Sequence, residues 1–157
     1  MLAGSFLPYV SAVNMDIGWL GAIVIIAYVI VVIGLWKMFD KAGEAGWKAL
    51  IPIYNTYILF KISWQTKMFW IELAIMIAAQ LLYMYGDANL NQMMLIFAYG
   101  LSLLSAIIQA VLCYNISLAY GHGIGYFLGI YLLSVVFFPI IGYGPSRYAG
   151  NRYAYTR

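Results

Sequence analysis

The chain has 157 residues; 66% are hydrophobic and 8% are charged, with eight Lys or Arg against five Asp or Glu. Soluble domains carry about 25% charged residues, and a water-facing fold of this length could not hide so much apolar surface. Composition therefore excludes an ordinary soluble domain. The net charge of +3 is small and clustered, which excludes a nucleic-acid footprint and reads as a topology signal.

The chain opens MLAGSFLPYVSAVNMD, with no basic n-region and no A-x-A cleavage site, so no removable signal peptide is predicted. Residues 17–36 then form the first predicted span and serve as an uncleaved anchor. They are uncharged, bracketed by Trp19 and Trp36, and as a helix would rise about 30 Å, the thickness of a bilayer's hydrocarbon core. Lys37 ends the span. The stretch Lys37–Lys67 holds five of the eight basic residues and two of the acids, Asp40 and Glu44.

Inside that stretch lies an apolar interval, 49–62, interrupted by Pro52. The uncharged part between Lys48 and Lys61 would rise only about 18 Å as a helix, too short to cross. Pro52 removes a backbone donor and disfavours helix at Ile51, while Asn55 and Thr56 offer groups to satisfy the freed backbone. The interval is read as a re-entrant or interfacial segment, or else as a short span with snorkelling lysines.

Residues 68–85 form the next span, with Glu72, Met76 and Gln80 on one face. A polar turn, Gly86–Asn89, leads to a long span at 90–120. Along it Ala98, Ser102, Ala106 and Ala110 make a smooth stripe, with Ser105, Gln109 and Cys113 beside it. The last predicted span is 124–143, carrying Gly125, Gly129 and, near its end, Pro139. From Ala88 to Ser146 there is no Asp, Glu, Lys or Arg. The fold class is thus an all-α polytopic membrane bundle in a single domain, 1–157. It has four spans plus the Pro-broken segment, or five if that segment crosses. Basic residues face the cytoplasm, which puts the N-terminus outside in the cell's inner membrane. Four spans leave the Arg-bearing tail outside and five bring it in.

The run from Lys41 to Ile62 resembles the signature of an uncharacterised bacterial family of small multi-pass membrane proteins. The matching residues are Gly43, Gly46, Trp47, Ala49, Leu50, Ile51, Pro52, Tyr54, Asn55, Lys61 and Ile62. The glycine-rich start and Pro-x-x-Gly-x-Gly close of residues 121–144 are similar too. Glu44 and Ala45 depart from it, standing where Lys-Pro is usual, as does the run from Ser63 to Trp70. The resemblance implies a membrane fold and no known mechanism. Members are sometimes labelled signal peptidase, which implies a serine nucleophile and a lysine base; here only Lys61 and Ser63 stand close in sequence.

Glu72 is the sharpest candidate, because ionisable groups within spans are costly and functional by default. Its nearness to Lys67 predicts an interfacial ion pair with Lys67 or Lys48. Pro52, Tyr54 and Asn55 mark a break of the kind that lines cavities or packs within protein. Gln80, Gln109 and Asn115 suit hydrogen bonds between helices. The small residues Gly121, Gly125 and Gly129 are expected to pack against Ala98, Ser102, Ala106 and Ala110. Lone Cys113 and His122 make no metal site, and no cofactor or nucleic-acid partner is expected.

Two functions follow. The first is a non-enzymatic accessory subunit of a membrane complex, or a homo-oligomer. The second is a small oligomeric channel or carrier with a path near the Pro52 break and Glu72. A carrier would show a groove holding Glu72, Asn55 or Gln80; an accessory subunit would show smooth helix faces.

Overall fold

The computed structural model describes the backbone of residues 7–153 and the side chains from Trp19 to Tyr153. The signal-peptide reading rests in part on residues 1–6, outside that range. Every regular element among the described residues is helical: α1 (Leu7–Lys41), a 3-10 turn (Gly46–Leu50), α2 (Pro52–Ser63), α3 (Thr66–Ala88), α4 (Gln92–Ala119), α5 (Ile124–Leu132) and α6 (Ser134–Tyr143). Three helices are long and apolar enough to cross a membrane: Trp19–Lys41 of α1, α3 and α4.

The Pro-broken segment goes down beside α1 and comes back. Gly46 lies against the Trp36 indole, so close that a Cβ would meet the ring at 2.2 Å. Leu50 O then accepts from the Tyr28 hydroxyl at 3.0 Å. Trp36 and Tyr28 are two turns apart on α1, about 12 Å of descent. Pro52 opens α2, where its missing N–H costs nothing, and Ile51 is extended as the residue before a proline should be. Asn55 Nδ2 donates to Ala49 O, and the Thr56 hydroxyl donates to Pro52 O, so both side chains tend the break as their types suggested. The return is fixed by Glu44, whose carboxylate holds Lys48 at 2.5 Å and Lys61 at 2.6 Å. Those two hydrogen bonds hold the Glu44 carboxyl below the usual range. Trp47, Tyr54 and Tyr57 stack in succession, and Tyr57 meets Phe69 edge-on.

The predicted last span, 124–143, is not one helix. It breaks at Leu133 (φ −133°, ψ 49°) into α5 and α6, each about 15 Å long or less. The two start and finish at the same end of the molecule. His122, just before α5, bonds Ser146, just after α6, at 2.7 Å, and Ala149 N donates to Ala119 O. Gly129 makes the fold-back feasible, since the Phe137 ring occupies the space a Cβ there would need. α6 lies on α1 through a backbone crossing at Gly34, Pro139 and Gly142. The Lys41 ammonium caps its C-terminus, donating to Ile141 O at 2.7 Å and Gly144 O at 2.8 Å. A cation there also complements the helix dipole.

The buried core gathers at this same end, around Met38, Phe39, Phe60, Ile116, Tyr120, Ile130 and Ile141. The Tyr120 hydroxyl donates to Met38 O at 2.6 Å and the Tyr148 hydroxyl to Ile62 O at 2.7 Å, tying the tail and α4 to the rest. Asn151 clasps the end of α2 through Lys61 O and Trp64 O. At the opposite end α3 and α4 pair only with each other, joined by a turn in which Asn91 caps α4, and α1 stands exposed from Trp19 to Val29.

Candidate functional site

α3 and α4 are antiparallel, and along one side they form an open cavity of about 400 Å³. Met76, Ala79, Gln80 and Tyr83 line it from α3; Ala98, Tyr99, Ser102 and Ser105 line it from α4. The spacing is helical on both sides, so each helix gives one face. Ala79 and Ala98 are buried where the backbones come close, and Gln80 and Ser102 remain exposed. Tyr83 and Tyr99 meet edge-on at 6.4 Å near the far end of the hairpin.

Glu72 lies one helical turn below Met76. It is 2% exposed and pairs with no lysine; the expected ion pair with Lys67 or Lys48 does not form. Lys48 is engaged by Glu44 instead. Glu72 faces α4, where its Oε1 accepts from Ser105 Oγ at 2.6 Å and from Gln109 Nε2 at 3.4 Å. Its Oε2 has no hydrogen-bond partner. The sequence distance to Lys67 misled, because helix rotation turns the carboxyl toward the neighbouring helix and away from the surface. A lone carboxyl in such surroundings is costly.

The other sequence candidates divide. Gln80 joins the cavity wall. Pro52, Tyr54 and Asn55 belong to the Pro-broken segment beside α1 and do not line it. The glycine face is corrected: a Cβ on Gly121 or Gly125 would meet nothing within 4 Å, and Gly129 faces Phe137 of its own hairpin. That face therefore does not pack on the Ala98, Ser102, Ala106, Ala110 stripe, part of which lines the cavity. Asn115 is buried with its Nδ2 unpartnered. His122 stacks on Tyr126 at 3.7 Å, and burial lowers its pKa from the ordinary histidine value. Ser63 donates to Leu59 O and Lys61 to Glu44, so the two do not form a nucleophile–base pair. No cluster of three or more His, Cys, Asp or Glu occurs among the described residues. Sequence reasoning passed over Tyr83 and Tyr99, although residues 72, 76, 80, 83 and residues 99, 102, 105, 109 each follow one helix face.

The fold and this site define an all-helical protein with apolar helices of membrane-crossing length and, between two of them, an open and mainly apolar cavity that carries Gln80, Ser102 and Ser105. Residues 47–151 match a family of unknown function (DUF5684), and the chain belongs to it. No curated protein matches the chain, and no solved structure does.

Proposed function

We propose that this is a non-enzymatic protein of the inner membrane that works as a small channel or carrier, with its path along the polar side of α3 and α4. The observation that carries this is the cavity itself: Gln80, Ser102 and Ser105 line it, and Ser105 links it to buried Glu72. Polar groups exposed on a membrane helix face a cavity or a partner far more often than lipid. A chain this small would act as an oligomer. The reading predicts that reconstituted vesicles pass small cations down a gradient and that Glu72→Gln removes the flux. Vesicles that stay tight with the native protein sink it.

The topology that goes with this reading has three crossings and two re-entrant loops, 46–63 and 124–143. Lys37, Lys41, Lys48, Lys61, Lys67, Arg147 and Arg152 then share one end, as cytoplasmic basic residues do. The N-terminus is outside and the tail inside. In a Cys113→Ser background, single cysteines at positions 48, 61 and 147 should all resist an impermeant thiol reagent in intact cells and react after lysis. A residue labelled in intact cells removes this topology.

One observation favours a different role, an accessory subunit or homo-oligomer. Most of the apolar surface of the three long helices is left unburied within the chain. Recovery of a fixed partner or a defined oligomer from mild detergent would favour it.

A further inference from the structure

We infer that the α3–α4 cavity binds a small organic cation, an amine or ammonium carrying an apolar body. The inference rests on the carrier reading above and names its ligand. Size is the first argument. At about 400 Å³ the cavity falls in the range of small-molecule sites and is far too roomy for a bare metal ion. A metal would also want several hard oxygen ligands held close, and no carboxylate is among the lining residues, Glu72 being buried behind Ser105.

Hydrogen-bond polarity is the second argument. The Ser105 hydroxyl gives its proton to Glu72 Oε1, and the Ser102 hydroxyl gives its proton to Ala98 O. Each oxygen is left with lone pairs only, so both serines that line the cavity are acceptors. A ligand that meets them must donate. The Glu72 carboxyl lies buried behind Ser105, and its Oε2 is still without a partner. An anion would find no cationic side chain on these walls.

The remaining wall completes the chemistry. Tyr83, Tyr99 and Met76 are soft, polarizable surfaces, and aromatic faces attract ammonium groups. Tyr83 and Tyr99 sit toward the far end of the hairpin, and Ser105 lies about 20 Å along α4 from its start. A cation entering between the tyrosines would therefore find Ser105, with the Glu72 carboxyl behind it, deeper in.

Three probes of similar shape test this on the full chain in detergent micelles: phenethylamine, phenethyl alcohol and phenylacetate, by titration calorimetry. The amine should bind saturably and at least about tenfold more tightly than the alcohol, and phenylacetate should not bind. Glu72→Gln should erase the preference for the amine. Ser102→Phe, which fills the cavity without touching Glu72, should abolish binding of both. The inference is overturned by an absence of saturable amine binding, by equal affinity for amine and alcohol, by a preference that survives Glu72→Gln, or by binding that survives Ser102→Phe. Amine that binds but is not carried into vesicles leaves this inference standing and sinks the carrier reading. Cation flux without amine binding does the reverse.

Discussion

Gly34→Leu is expected to pry α6 off α1 and to cause a large drop in the thermal midpoint in mild detergent. A Cβ at position 34 would stand 2.5 Å from the Phe138 carbonyl carbon and 2.5 Å from the Pro139 nitrogen. Both are backbone atoms, so no rotamer change can relieve the clash. Across the contact, a Cβ on Gly142 would meet Gly34 O at 2.5 Å, which shows that the two chains touch main chain to main chain. Between membrane helices such closeness is itself the source of stability, since lipid is as apolar as the side chains. Overpacking costs about 1–3 kcal/mol, and the upper end applies where backbone must move. Gly21→Leu on the same helix is the control, because nothing lies within 4 Å of its Cβ. Equal shifts for the two substitutions would mean that α6 does not rest on α1 as described.

Lys41→Met should have an effect of the same order, through hydrogen bonding. The ammonium serves Ile141 O and Gly144 O, two carbonyls at the end of α6 that no further helical turn can satisfy. Hydrogen bonds to a charged group contribute about 1.5–3 kcal/mol. Methionine keeps the length and the apolar stem but offers no donor. Because Lys41 and Gly34 hold the same helix, the double substitution should cost less than the two losses added together. A strictly additive result from thermal melts would show that the cap and the crossing act on separate structures.

Much of the architecture was legible from residue types. Lipid as solvent follows from composition. The long helices fall close to the apolar runs, and Pro52 with its short interval left a choice between a segment that turns back and a short span. Glu44 holding both Lys48 and Lys61 is the physical form of that turn. What the sequence did not announce is the break at Leu133. No proline or glycine stands there, and residues 124–143 carry a run of apolar residues long enough to cross. The fold-back depends on partners distant in sequence: Phe137 over Gly129, Gly34 beneath Pro139, and Lys41 at the end of α6. The same holds for the site. Glu72, Gln80, Ser105 and Gln109 could each be singled out by type. That Glu72 turns away from Lys67 and toward Ser105 is a matter of helix rotation against a neighbour, which local spacing does not fix. Tyr83 and Tyr99 were hidden by sheer number, since the chain has 15 tyrosines and aromatic belts account for most of them.

The second hairpin also has a mechanical meaning. α5 and α6 leave and rejoin the basic end, and the 3-10 turn and α2 do the same. The molecule is therefore broad at that end, where parts of all six helices and the tail pack together, and slender at the other, where α1 stands apart from a single helical pair. With the three crossings proposed above, such a body would displace more lipid from one leaflet than from the other. Under the proposed topology it would act as a wedge, and the strain it imposed would be relieved where the membrane already curves toward its narrow side.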